Sequence, residues 1–130
     1  METRFLILRD QDSANCKNVK AEIHKKVVSS GKTISTKIVI ACHELESFYL
    51  GDLKAVELAL GCKNLSKKQE QKKFKNPDIL ANASEELEKI TQNKYQKISG
   101  SREIGKHLCL KSNKSQSFNH LIRSIRTLLK

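Results

Sequence analysis

The stretch RFLILRDQDSANCKNVKAEIHKKVVSSGKTISTKIVIAC, residues 4–42, carries the strongest fold signal in the chain. Its first five residues are an apolar run ended by polar residues, which is typical of a strand buried on both faces of a parallel sheet. Residues 37–42 repeat this pattern. Between them, apolar residues recur at helical spacing from 13 to 29, which predicts a helix capped by Ser13 and ending near Gly31. The order strand, helix, strand predicts a right-handed crossover and an α/β fold.

Further helices are predicted after residue 42 from apolar residues at steps of three and four. They cover residues 53–60 between Asp52 and Gly61, a segment that starts at Pro77 and runs to Ile90, a short turn at 102–108 after Gly100, and residues 118–129. One domain of 130 residues is therefore expected, with a core at 1–62, an exposed Lys-rich loop or frayed helix at 63–76, and a helical basic part at 77–130.

Composition excludes several classes of protein. Hydrophobic residues make up 38% of the chain and charged residues 30%, which favours a folded domain over a disordered chain. No apolar run approaches the roughly 20 residues of a spanning helix, and no secretory signal follows Met1, so we expect a cytoplasmic protein. The four cysteines form no C-x-x-C pair, which favours reduced thiols over a zinc ribbon.

The net charge of +11 lies mainly in the last third of the chain, since residues 89–130 hold ten Lys and Arg against one Glu. Such a region attracts polyanions, which makes nucleic acid the first partner class and an anionic membrane surface the second. A solvated basic surface without a partner is the alternative. We predict a nucleic-acid partner and no membrane partner. The candidate phosphate-binding residues are Arg102, Lys106, Lys111, Lys114, Arg123 and Arg126.

Acidic side chains follow both predicted strands. Asp10 and Asp12 come after the first, and Glu44, Glu46 and Asp52 after the second. Because ligands bind beyond the carboxyl ends of parallel strands, these acids are expected in one crevice. Carboxylates suit Mg²⁺, which needs only one or two of them beside a phosphate. The alternative is that these acids cap helices or are solvated.

Three stretches are similar to a known family: RDQDSANC at 9–16, ACHELESFYLGD at 41–52, and KISGSREIGKHL at 97–108 with NKSQSF at 113–118. Together they resemble the bacterial domain-of-unknown-function family numbered 4276, a Toprim-like group. The resemblance implies a Toprim-like fold in which Asp10 and Asp12 hold Mg²⁺, or Mn²⁺, for phosphodiester chemistry. Glu44 and Glu46 would line the same crevice as catalytic residues. It also implies a nuclease effector of phage defence, encoded beside an ABC-type ATPase.

The chain departs from the Toprim pattern at its start. Toprim nucleases use a further catalytic Glu on a strand upstream of the Asp-x-Asp strand, and this chain begins four residues before its own first strand. We therefore expect the family's N-terminal portion to be missing. The first strand then has an unpaired edge, so we also expect a homo-oligomer, a partner chain or low stability.

Two further functions compete with a Mg²⁺-dependent nuclease. The first is a non-catalytic or regulatory subunit that binds nucleic acid or an ATPase through the basic C-terminal part. The second is a structural protein with a solvated basic face.

Overall fold

The structure is a computed structural model that describes residues 3–12, 15–31 and 36–130. These residues form an α/β fold with a two-stranded parallel sheet, flanking helices and a helical C-terminal part. The strands are β1 (Phe5–Asp10) and β2 (Thr36–Ala41). The helices are α1 (Cys16–Ser30), α2 (Ser47–Leu50), α3 (Leu53–Leu60), α4 (Lys72–Lys75), α5 (Ala83–Ile90), α6 (Lys97–Gly105) and α7 (Gln116–Leu128). None of the described helices is long and apolar enough to cross a membrane.

The predicted strand–helix–strand unit is present, but β1 is not buried on both faces as predicted, because the helices leave Phe5 and Leu8 39% and 40% exposed. β1 and β2 pair in parallel with Phe5 opposite Thr36 and Asp10 opposite Ala41. The predicted N-cap Ser13 lies outside the described residues, and the cap of α1 is Asn15, whose side chain accepts hydrogen bonds from two backbone N–H groups at 2.9 and 3.3 Å. The helix ends at Gly31, as predicted.

Two apolar clusters cover the sheet. In the smaller cluster, three buried residues of α1 pack against Ile40: Val19, Ile23 and Val27. The larger cluster joins Ala41 to α2, α3, α5, α6 and α7. Its largest fully buried side chains are aliphatic apart from Phe74, as the low aromatic content predicts.

The segment 63–76, predicted as an exposed Lys-rich loop or frayed helix, is held against the core by two buried residues. It contains a 3₁₀ turn (Ser66–Glu70) and α4. Phe74 is fully buried and Leu65 is 2% exposed, so both anchor the segment to the larger cluster. The Gln69 amide group donates to the carbonyls of Leu50 and Phe74 at 2.9 and 2.7 Å. The burial of these two apolar side chains holds the segment against the core, although most of its other residues are polar or charged.

Two predicted helix boundaries are wrong. Pro77 opens a 3₁₀ turn (Pro77–Ile79), and α5 begins only at Ala83. The predicted break at Gly100 lies inside α6, which starts at Lys97 rather than at residue 102. Gly100 is needed there because a Cβ at this position would lie 2.7 Å from the ring of Tyr95. α3, with Asp52 as N-cap and Gly61 as C-cap, is confirmed.

A close backbone crossing ties the C-terminal part to the core. The Asn113 side chain donates to the carbonyl of Phe48 at 2.9 Å and accepts from the N–H of Ser115 at 2.7 Å. The N–H of Lys114 donates to the carbonyl of Gly51 at 2.9 Å. A Cβ on Gly51 would collide with Asn113 Oδ1 and lie 2.7 Å from Ser115 N.

We therefore expect Gly51→Ala to lower the free energy of unfolding by about 1–3 kcal/mol, the usual cost of forcing a methyl group into a packed interior. Gly105→Ala is the matched control, because a Cβ there meets nothing within 4 Å. The control should leave stability unchanged or raise it by up to about 1 kcal/mol. Urea denaturation followed by circular dichroism measures both, and equal stabilities of the two variants would contradict this account.

Candidate active site

The backbone segments that follow β1 and β2 are joined by hydrogen bonds. The N–H of Gln11 donates to the carbonyl of Ala41 at 3.0 Å, and the N–H of Asp12 donates to that of His43 at 2.7 Å. The N–H of His43 in turn donates to Gln11 Oε1 at 3.0 Å. Asp12 and His43 have φ angles of 55° and 57°. Residues other than glycine rarely adopt this left-handed backbone conformation. Those that do are concentrated at functional sites.

Asp10 is the last residue of β1 and is half-buried. Its carboxylate accepts a hydrogen bond from the N–H of Leu45. Burial raises the pKa of Asp10 above its ordinary value, and the charges of Asp12 and Glu44 raise it further, while Lys97 opposes them. Asp10 therefore lies close enough to Asp12 and Glu44 for their negative charges to repel one another.

Glu44 is held by the start of α5. Its two oxygens accept from Ser84 Oγ at 2.9 Å and from the N–H of Ser84 at 3.3 Å. Glu44, Asp12 and Glu85 border a surface hollow of about 510 Å³. This hollow is acidic and open to solvent, so a cation or a cation-bound ligand can enter it.

Glu46 is buried, with 5% of its surface exposed. The hydroxyl of Tyr95 donates to Glu46 Oε2 at 3.1 Å and lies 3.1 Å from Ser101 Oγ. Tyr49 also hydrogen-bonds to Ser101, and its ring centroid lies 6.1 Å from that of Tyr95. Burial raises the pKa of Tyr95, which keeps this hydroxyl protonated and able to donate.

The positive charge of Lys97 acts on both Asp10 and Glu46. Burial raises the pKa of Glu46, the Tyr95 hydrogen bond and Lys97 lower it, and Glu44 and Asp10 raise it again. A half-open site that combines a buried acid with unbalanced negative charge is typical of catalytic and ion-binding sites. Asp52 has another role, because it caps α3 and accepts from the N–H of Cys109 at 2.8 Å.

All candidate metal ligands at this site are carboxylate oxygens, which are the donors that hard cations such as Mg²⁺ prefer. Within residues 3–12, 15–31 and 36–130, no three His, Cys, Asp or Glu side chains are arranged to hold a metal ion together. Two carboxylates with water are sufficient for Mg²⁺. The donor set therefore fits this ion, with at most a pair of these side chains binding it directly.

A model of the family described as "Domain of unknown function (DUF4276)" matches residues 2–126 of the chain. The chain belongs to this family. The prediction of family membership is thereby confirmed, and the matched residues include all four predicted catalytic acids of this DUF4276 chain. No curated protein matches it, and no solved structure matches it.

The six predicted phosphate-binding residues of the DUF4276 chain are all exposed. Lys111, Arg123 and Arg126 border one hollow of about 360 Å³. Arg102 lies on α6 with Lys106 at its end, and Lys106 pairs with Glu103 at 2.9 Å. Lys114 lies at the backbone crossing with Gly51. The structure thus brings three of the six together.

Sequence reasoning missed the residues that surround Glu46. Tyr95 and Ser101 lie 49 and 55 positions from it in the chain, and no local pattern links them. The only signal was that residues 97–108 belong to a stretch that resembles the family. The alternative to a catalytic Glu46, an acid that caps a helix or is solvated, is wrong, because its side chain is buried and makes no cap hydrogen bond to α2.

The raised pKa of Glu46 predicts a pH dependence of stability. The unfolded chain loses this proton near the ordinary value of 4.5, while the folded protein keeps it to higher pH. The stabilisation is therefore complete below 4.5 and is lost as pH rises through the folded pKa. Glu46→Gln removes the titration, so its stability relative to wild type should be greater at pH 8 than at pH 4.

Urea denaturation at pH 4, 6 and 8 measures this difference. The exposed Glu88 of α5 supplies the control variant Glu88→Gln, whose difference from wild type should vary much less with pH. A difference for Glu46→Gln that is constant across these pH values would show that the acid is not perturbed by burial.

Proposed function

We propose that this chain is a metal-dependent phosphodiesterase of the nuclease type that acts on nucleic acid. The observation that carries the proposal is the gathering of Asp10, Asp12, Glu44 and Glu46 beyond the carboxyl ends of β1 and β2. The family's description assigns no activity. Support therefore comes from this cluster, from the net charge of +11 and from the resemblance of the sequence to Toprim-like proteins.

Asp10 and Asp12 are the residues that would hold Mg²⁺, and Mn²⁺ has the same oxygen preference. The bound ion would neutralise charge on a phosphate oxygen and lower the pKa of a water molecule. Asp12 is exposed, so its carboxylate is accessible to an ion from solvent. Asp10 is held in place by the N–H of Leu45.

Glu44 and Glu46 have different surroundings and so suit different tasks. Glu44 is oriented by two hydrogen bonds from Ser84 and borders the acidic hollow. Glu46 is buried and its pKa is raised, so it can hold a proton at higher pH than an exposed Glu. Tyr95 fixes the position of the Glu46 carboxyl group. Lys97 would offset part of the negative charge of a phosphate beside these acids.

The resemblance to Toprim-like proteins also supports a biological setting. We propose that the chain acts in the bacterial cytoplasm in defence against phage, together with an ABC-type ATPase. A homo-oligomer is compatible with this setting, because Phe5 and Leu8 of β1 remain 39% and 40% exposed.

A second candidate function is a non-catalytic subunit that binds nucleic acid. The observation that favours it is the grouping of Lys111, Arg123 and Arg126 on α7 and the segment before it. Such a subunit would bind phosphates with a strong dependence on salt and release no product.

Cleavage of total tRNA and of plasmid DNA by the purified chain, with Mg²⁺ or Mn²⁺, distinguishes the two functions. Asp10→Asn and Asp12→Ala should each reduce the cleavage rate by at least about 100-fold. Mutation of a residue that merely hydrogen-bonds to a metal ligand already reduces activity by up to about 100-fold, and loss of a ligand itself should reduce it more. Glu70→Gln is the control. Glu70 is exposed, and its carboxylate forms a salt bridge with Lys75 at the long distance of 3.5 Å.

Cleavage that persists unchanged in both aspartate variants would contradict the assignment of the metal site. Folded wild-type protein that binds nucleic acid and cleaves neither substrate would reject the nuclease and favour the binding subunit. Circular dichroism of each variant shows whether it is folded before the rates are compared.

A further inference from the structure

A groove of about 480 Å³ runs along the edge of β2 that faces away from β1. α1 packs against the sheet face that carries Ile40, and α7 packs on the other face, near Ala41. α7 runs antiparallel to β2, because Ser117 near its start hydrogen-bonds to Cys42 and Leu128 at its end accepts from Arg4. The two helices therefore form the walls of the groove and the strand edge forms its floor.

The groove is lined by basic side chains from three elements. Lys20 and His24 lie one turn apart on α1, Lys37 lies on β2, and His120 and Arg123 lie on α7. The other described lining residues are Thr36, Ile38, Ser124 and Thr127. Among the described lining residues there is thus no Asp or Glu to balance the cations and no Phe, Tyr or Trp on which a base could stack.

Three of the basic side chains act on His120. Burial lowers the pKa of His120, and Lys20, Arg123 and Lys37 lower it further. The three charges are therefore close enough to disfavour a further proton on His120. An anion in the groove would relieve this repulsion.

The basic surface continues past Arg123. Arg123 also borders the neighbouring hollow of about 360 Å³, together with Lys111 and Arg126. Two adjoining hollows that share an arginine form a band, which suits a chain of phosphates better than a single phosphate group. Only part of this band was recognised from the sequence, since Lys20, His24, Lys37 and His120 were not among the candidate residues.

We infer that this basic groove binds the phosphodiester backbone of a nucleic-acid strand without reading its sequence. The inference rests on the proposed function and adds the surface on which the substrate lies. Strands rise about 3.3 Å per residue, so Lys37 lies roughly 13 Å along β2 from Ala41, where the acidic cluster begins. The groove thus lies at the start of β2 and the acids at its end, so one strand carries both surfaces. Without an aromatic platform, recognition depends on charge and hydrogen bonds to phosphate.

Binding of a fluorescent 20-nucleotide single-stranded RNA, followed by anisotropy in EDTA, tests the inference without cleavage. The variant Lys20→Gln/Lys37→Gln removes two charges from the groove. It should bind about tenfold more weakly, and the slope of log K against log salt should fall by about 1.4, since each phosphate contact on a single strand contributes about 0.7. A 20-nucleotide DNA of different sequence should show the same losses.

The matched control is Lys63→Gln/Lys94→Gln. Both residues are exposed and border a separate cavity of about 620 Å³ that is also rich in lysine. This variant loses the same net charge and should bind within about twofold of wild type, because only cations in contact with phosphates release counterions. Equal weakening by both variants would overturn the inference and show that binding follows net charge alone.

Two further measurements separate the remaining outcomes. Inorganic pyrophosphate at the same phosphate concentration should compete poorly with RNA, and full displacement would assign the groove to a small phosphate ligand instead. Asp10→Asn should bind RNA at least as tightly as wild type. Wild-type protein whose groove binds RNA but which cleaves no substrate would reject only the nuclease, whereas metal-dependent cleavage with no effect of Lys20→Gln/Lys37→Gln on binding would reject only the groove.

Discussion

The parallel pairing of β1 with β2 positions both charged surfaces of the molecule. Its register places Asp10 opposite Ala41, so the chain segments that carry Asp12 and Glu44 leave the sheet side by side. Two backbone hydrogen bonds and the Gln11 side chain then join these segments. A slip of one residue would turn Asp10 to the opposite face of the sheet and would break this arrangement. α1 and α7 make the slip unfavourable, because each buries apolar residues against one face.

The acidic cluster opposes the stability of the fold. Burial and neighbouring carboxylates raise the pKa values of Asp10 and Glu46, which means that their charged forms are disfavoured in the folded protein. Tyr95 and Lys97 offset part of this cost through one hydrogen bond and one positive charge. Proteins commonly accept such strain where function requires it. The absence of a side chain at Gly100 of α6 leaves room for Tyr95, which donates to this buried acid.

Sequence periodicity predicted the parts of the fold whose cause is local. The apolar runs of β1 and β2, the capped helix between Asp52 and Gly61, and the amphipathic α7 were all recognised. The predictions were wrong where contacts between residues far apart in the sequence determine the structure. Gly100 lies inside a helix, where its lack of a side chain leaves room for Tyr95. Phe74 is fully buried although lysines surround it in the sequence, so the sequence pattern alone indicated an exposed segment. The acids of the site were identified from their position after the strands, but Tyr95 and Lys97 come from a segment about 50 residues away.

The distribution of charge constrains how any polyanion can approach the acidic cluster. The carboxylates of this cluster repel a phosphate backbone, and among the described residues Lys97 is a cation that offsets the charge at both Asp10 and Glu46. An added cation at Asp10 and Asp12 would reduce that repulsion locally. Positive charge elsewhere on the same molecule would also offset it by holding the strand. Lys37 supplies such charge on β2, roughly 13 Å along the strand from Ala41, because a strand rises about 3.3 Å per residue. β2 therefore carries charge of opposite sign at its two ends, with basic residues at its start and acids beyond its end.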